Sequence, residues 1–186
     1  MKKTITLFLV LSWALNPVFA QKKLITRAGH ATIFSETTAE TITANNYAVT
    51  GTIDPESGEL SISVPVQNFE FEKALMQEHF NNTNFMDSKQ FPRILMKGKI
   101  DNLSEVNFSK DGKYEVTVSG ELTIKGTTRP LKEKATILIA GGKPEVSSDF
   151  IVQEIGSYGV GKPKGSKKNN VADNIKVNYH AVYAEE

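Results

Sequence analysis

The sequence predicts an all-β domain in which eight antiparallel strands close, or nearly close, on themselves, with one short helical insertion. Apolar and polar residues alternate at period two through most of the chain, as strands with one dry and one wet face require. Clusters of Gly, Pro, Asp and Asn punctuate these runs and supply the turns. Neither a βαβ rhythm nor an internal repeat interrupts the pattern.

Taken in order, Leu24 to Phe34 is rich in Thr, Ile and Ala and reads as the first strand. Thr41 to Ile53 follows, with Tyr47-Ala48-Val49-Thr50 inside it and the turn signal Asp54-Pro55-Glu56-Ser57-Gly58 after it, so a hairpin is expected. In Leu60 to Val66 the residues Leu60, Ile62, Val64 and Val66 share one face and Ser61, Ser63 and Pro65 the other. Proline cannot donate to a ladder, which places Pro65 near an edge or a bulge. Phe69 and Phe71 keep the two-residue period with shifted parity, and the bulge is expected between Pro65 and Asn68.

From Glu72 to Phe91 the period changes, because Leu75, Met76, His79 and Phe80 fall at helical spacing. One short helix is expected, then an irregular Asn-rich turn holding Phe85 and Met86, ended at Phe91-Pro92. Ile94 to Ile100, Tyr114 to Lys125, Leu131 to Ile139, Glu145 to Glu154 and Ile175 to Tyr183 complete the eight strands. Asp111-Gly112, Lys125-Gly126 and Gly141-Gly142 provide turns among them. In the second of these strands Val116, Val118, Gly120, Leu122 and Ile124 alternate with Glu115, Thr117, Ser119, Glu121 and Thr123. The same parity selects Ile94 and Met96, and Ala135, Ile137 and Ile139. A barrel of about eight strands can hold one small ligand, whereas a sandwich is filled by its own side chains, and alternation fits both.

The N-terminus carries a processing signal. Met1-Lys2-Lys3 is a basic start, Thr4 to Leu15 an apolar stretch, Pro17 a helix break and Val18-Phe19-Ala20 a peptidase site, so cleavage after Ala20 and export are expected. The apolar stretch falls short of the roughly 20 residues that a membrane span needs. Residues 21–186 then form one domain of 186 − 20 = 166 residues. Losing Lys2 and Lys3 leaves 20 basic against 21 acidic side chains, which offers no general attraction for nucleic acid. No cysteine is present, so stability rests on packing, and a disulfide framework, a thiolate metal site and a cysteine-linked lipid are all excluded.

Catalytic chemistry finds little support. His30, His79 and His180 are the only histidines, none stands in a nucleophile-elbow or zincin motif, and neither a catalytic set, a cofactor nor a metal is expected. A metal role for His79 would need further ligands at sensible spacing, such as His30 and His180. His79, between Leu75-Met76 and Phe80, reads as a capping or core-edge histidine, or as one that meets a ligand. Between Gly156 and Asn170 lies a glycine-rich loop with Lys162, Lys164, Lys167 and Lys168 and no acid. It reads as a solvated hairpin loop, or as a peripheral contact with an anionic membrane surface or a diphosphate head group through residues 162–168.

Two stretches together resemble the YceI-like family of lipid- or polyisoprenoid-binding bacterial proteins. One is Phe69 to Ile100, with its His-Phe, Asn-Phe-Met-Asp-Ser and Phe-Pro elements; the other is Val118 to Leu131, Val-Ser-Gly-Glu-Leu-Thr-Ile-Lys-Gly-Thr-Thr-Arg-Pro-Leu. The region from Asp149 to Tyr183 is similar more loosely. The resemblance implies an extended lipocalin-like barrel, typically periplasmic, with a tunnel for an isoprenoid, quinone-like or other amphiphilic lipid, and a binding rather than a catalytic role. Phe69, Phe71, Leu75, Met76, His79, Phe80 and Phe85 then become candidate gate or wall residues, and Ile94, Met96, Val116, Val118, Leu122 and Ile124 candidate walls. Gly126 would form a tight turn and Arg129-Pro130 would begin the next strand. Met96 departs from the commoner pattern, which has an aromatic there, and the lysine-rich loop departs as well. A filled barrel serving as an interaction or stress-response protein, an enzyme acting on the bound lipid, and a homodimer are compatible with the same pattern.

Overall fold

The computed structural model describes residues 23–37, 41–161 and 172–186. The expected signal peptide with its cleavage site, and lysines 162–168, lie outside these residues. The strands are β1 (Leu24–Glu36), β2 (Thr41–Ile53), β3 (Glu59–Pro65), β4 (Glu70–Phe71), β5 (Arg93–Ile100), β6 (Gly112–Ile124), β7 (Thr127–Ala140), β8 (Lys143–Val152), β9 (Ile175–Val182) and β10 (Ala184–Glu185). One helix, α1 (Ala74–Asn81), stands between β4 and β5. Eight strands pair antiparallel in the ring β1-β2-β3-β5-β6-β7-β8-β9, and β9 returns to β1 to close it. Closure satisfies the backbone groups that an open sheet would leave on its two edges. The two-residue strands β4 and β10 extend the sheet beside β2 and β1.

Turn chemistry explains the connections. Lys125-Gly126 and Gly141-Gly142 each occupy a two-residue loop with both residues at positive φ, the geometry whose twist matches an antiparallel hairpin. In the β2–β3 turn the Asp54 carboxylate accepts the backbone N–H groups of Glu56 and Ser57 at 2.9 and 3.2 Å. Those bonds hold the Asp54 carboxyl below its ordinary pKa. After α1, the Asn82 side-chain oxygen accepts the N–H groups of Asn84 and Phe85, and the N–H of Met86 reaches back to the Phe80 carbonyl at 3.0 Å. The expected Asn-rich irregular turn is therefore a folded hook that returns Met86 to the core, where it is buried.

Three local expectations are corrected. No bulge forms at Pro65: it is the last residue of β3, paired with Arg93 of β5 but beyond the β2 ladder, which ends at Ser63, so its β2 side is locally an edge, and a 3-10 turn over Val66–Asn68 follows. That turn resets the parity, so Phe71 pairs with β2 instead of continuing β3. Arg129-Pro130 does not begin a strand, because β7 already starts at Thr127 and both residues pair with β6. Tyr183 interrupts the last strand and separates β9 from β10.

Buried residues form two clusters. One holds Leu24, Val49, Ile53, Ile100, Val116, Ile137, Ile139 and Tyr183, with Leu103, Val106 and Phe108 packed against it. The other holds Val66, Met86, Leu122, Ile124, Val152, Ile155, Tyr158 and Ile175, with Phe80 and Phe150 against it. Each cluster packs one end of the barrel.

The β7–β8 ladder is short. It runs from Ala140 opposite Lys143 to Thr136 opposite Ser147, while β7 continues along β6 as far as Thr127 and β8 along β9 as far as Val152.

Candidate functional site

Inward side chains of β3 (Leu60, Ile62, Val64), β5 (Ile94, Met96), β6 (Val118, Leu122, Ile124) and β9 (Ile175, Val177, Tyr179) enclose a cavity of about 670 Å³. Pockets for drug-sized ligands span roughly 300–1,000 Å³. A protein core packed to its usual density leaves few voids larger than a water molecule, so this interior is hollow by composition. Ala31, Ser35, Ala135 and Ser148 are all small and all line it. Gly98 and Gly120, opposite each other on β5 and β6, add no side chain at inward-facing positions. There the strands lie so close that a Cβ on Gly120 would stand 2.2 Å from the Lys97 carbonyl oxygen. The cavity is also long. Ile42 and Ile53 both line it from opposite ends of β2, about 35 Å of strand at ~3.3 Å per residue.

One end terminates on two tyrosines. The hydroxyls of Tyr179 and Tyr183 are 2.8 Å apart, both residues are buried, and both line the cavity. Burial pushes the Tyr183 phenol up to about 12 and raises that of Tyr179 as well. The opposite end is roofed by aromatic residues around α1. The Phe80 ring meets Phe69 edge-on at 5.4 Å and Phe71 at 4.9 Å, and Met76, His79 and Phe85 stand beside them on the cavity.

Lys125 ties this roof to the barrel. Its Nζ donates to the Thr83 carbonyl at 2.9 Å and to the Gly159 carbonyl at 2.8 Å, and partial burial lowers its pKa. The Phe91 ring lies against Gly126, where a Cβ would come within 2.7 Å of it.

The candidate residues divide as follows. Phe69, Phe71, Met76, His79, Phe80, Phe85, Ile94, Met96, Val118, Leu122 and Ile124 line the cavity. Leu75 does not: it points away from the roof with 62% of its surface exposed, because Met76 and Phe80 take the inner side of α1. Val116 does not either, since it lies deeper in the packed end of the barrel. Sequence reasoning missed Ile33, Ile42, Phe150, Ile175, Val177 and Tyr179, although the same two-residue parity that selected β6 would have found them. It also missed Glu133, an inward-facing acid.

The histidines do not converge. His30 and His180 are register partners on β1 and β9, but His30 bonds Asn45 at 3.0 Å and stacks on Tyr47, while His180 meets Glu145 at 2.8 Å. Among the described residues no group of three or more His, Cys, Asp or Glu could hold a metal ion, and His79 has no hydrogen-bond partner that would orient it as an acid or a base.

Comparison with known proteins agrees with this architecture. The family model described as the YceI-like domain matches residues 13–183. No curated protein matches the sequence. Among solved structures, a polyisoprenoid binding domain from Saccharophagus degradans superposes with a TM-score of 0.74 at 10% identity, covering 89% of this chain and 99% of that one. BcnA of Burkholderia cenocepacia gives 0.68 at 16% identity, over 83% and 95% of the two chains. The YCEI protein of Campylobacter jejuni gives 0.60 at 18% identity, over 81% and 88%. At these identities the likeness is one of fold.

Proposed function

We propose that this chain, which belongs to the YceI-like domain family, binds a polyisoprenoid or a similar long apolar lipid, quinone-like lipids included, inside its barrel and sequesters or carries it in the periplasm. The observation that carries the reading is the continuous apolar cavity from the tyrosine pair to the aromatic roof. Each buried methylene stabilises by about 0.8 kcal/mol. A few isoprene units therefore offset the ~4–15 kcal/mol lost in association. The name of the Saccharophagus degradans domain, which shares the fold, supports the ligand class. The basic and apolar segments at the N-terminus support export. A binding role fits the site better than catalysis, since among the described residues neither the His79 imidazole nor the Glu133 carboxylate of the inner wall is hydrogen-bonded to a nucleophile.

Native mass spectrometry and lipid extraction of protein purified from its own host test the proposal. A retained lipid with an isoprenoid or other long apolar chain is expected. Protein that arrives empty and shows no affinity for added isoprenoids would refute it.

A further inference from the structure

The lower halves of β7 and β8 part company. Past Thr136 and Ser147 the two strands share no ladder pairs, yet each stays bonded to its other neighbour. The gap has defined ends. At one, the Ser148 hydroxyl donates to the Lys134 carbonyl at 2.7 Å. At the other, Arg129 reaches Glu154 at 3.6 Å and covers the Tyr158 ring at 5.7 Å. Between Arg129 and Lys134 lie about 16 Å of strand at ~3.3 Å per residue. Leu131, Glu133 and Ala135 form one lip, Phe150 and Val152 the other, and all five also line the cavity. The gap thus opens into the barrel interior. Pro130, which has no N–H to donate to a ladder, sits in this unpaired stretch of β7, as proline does on a sheet edge.

Glu133 is out of place in an apolar wall. It faces Val118 across the β6–β7 pair, and Val118 points inward, so its carboxylate does too. The nearby cations are engaged elsewhere: Arg129 meets Glu154, Lys132 meets Asp101 at 3.3 Å, and Lys134, which borders the cavity where its carbonyl accepts the Ser148 hydroxyl, directs its charge to Glu115 on the outer face of β6. No described ion pair or hydrogen bond involves the Glu133 carboxylate, and burial raises its pKa. An acid kept unpaired at the mouth of an apolar cavity discourages an anionic group there. It accepts a hydrogen bond from a donor.

We infer that the β7–β8 gap is a lateral window in the barrel wall, and that Glu133 on its lip binds the head group of the lipid held inside, selecting a hydroxyl or an ammonium over an anionic group. This rests on the lipid-binding reading above and adds to it the chemistry of the head group and where it sits.

Calorimetric titration of delipidated protein with geranylgeraniol, geranylgeranylamine and geranylgeranyl diphosphate tests the inference. The alcohol and the amine are expected to bind about tenfold or more tightly than the diphosphate, the usual scale for a hydrogen bond to a charged group. Glu133→Gln, which keeps an acceptor and removes the charge, should weaken the amine about tenfold and spare the alcohol, whereas Glu133→Leu should weaken both. Because the chain has no cysteine, Glu133→Cys introduces a single thiol. Maleimide should label it in the empty protein and several-fold more slowly once geranylgeraniol is bound. Equal affinity for the three head groups, unchanged by the Glu133 variants, or labelling indifferent to geranylgeraniol, would overturn the window while leaving lipid binding intact. Failure of all three probes to bind would remove the lipid-binding reading and the window with it.

Discussion

Removing one hydroxyl of the Tyr179–Tyr183 pair should cost more stability than removing both. The two oxygens are 2.8 Å apart in buried surroundings, so Tyr183→Phe leaves the Tyr179 hydroxyl without its partner, at a cost of about 1–3 kcal/mol. Replacing both phenols by phenyl rings of the same shape removes donor and acceptor together and should be close to neutral. A double-mutant cycle by urea unfolding should therefore return a coupling of about 1 kcal/mol or more. The pair also sets an alkaline limit. Both phenols sit above their ordinary value of 10.0, Tyr183 at about 12. The folded state thus holds these protons more tightly than the unfolded chain does. Their contribution is complete below about pH 10, and above it stability falls by about 1.4 kcal/mol per pH unit for each tyrosine until the folded groups ionise. Unfolding curves between pH 9 and pH 12, on the order of the range these values define, should lose this slope in the double phenylalanine variant. A double variant as unstable as the sum of the two single ones, or one that keeps the full alkaline slope, would refute the coupling.

Three further outcomes concern the wall, the 3-10 turn over Ile155–Tyr158 and the roof. Gly120→Ala places a methyl 2.2 Å from the Lys97 carbonyl oxygen and 2.5 Å from the Gly98 Cα, so β5 and β6 must separate; a loss of about 1–3 kcal/mol is expected in urea unfolding. Gly156→Ala meets nothing within 4 Å and should stay within about 0.5 kcal/mol of the parent. Lys125→Met removes the donor shared by the Thr83 and Gly159 carbonyls, and hydrogen exchange should accelerate in both loops while the β6–β7 ladder keeps its protection.

Alternation made the strands legible because it reports which faces are dry. It reports nothing about volume. A wall with Ala31, Ala135 and paired glycines 98 and 120 gives the same apolar signal as one with leucines, yet only the first leaves a cavity. A hollow and a filled barrel were therefore indistinguishable until side chains occupied space. Leu75 failed for a related reason: on an eight-residue helix both Leu75 and Met76 fit the spacing to His79, and only contact with Phe69 and Phe71 through Phe80 decides which side faces in. Arg129 reads as the start of a strand that in fact begins at Thr127, and Glu133, inside the expected strand Leu131 to Ile139, escapes notice because the apolar parity selects only Ala135, Ile137 and Ile139 there. They can lie inside β7 because β8 has already left it there.

The two stretches that carry the family resemblance meet each other in space. Phe91 from the first lies on Gly126 from the second, Lys125 holds the Thr83 carbonyl, and Met96 pairs with Leu122 as Gly98 does with Gly120. Each contact restricts both partners: a side chain at 126 displaces a ring, and one at 120 displaces a backbone. The matched residues thus form the joint between the helical roof and the barrel. Such a joint fixes the roof on the barrel without specifying what the cavity holds. The chemistry of the ligand must be written elsewhere, on side chains that face the cavity and bear no load in the joint. Glu133 meets both conditions: it faces the cavity, stands two residues beyond the second stretch, and takes no part in the hydrogen bond of Lys125 to Thr83 or the packing of Phe91 on Gly126. Homologues that keep the joint and change the residue at this position would therefore be expected to hold the same kind of chain by a different head group, which titration with the three prenyl probes would reveal.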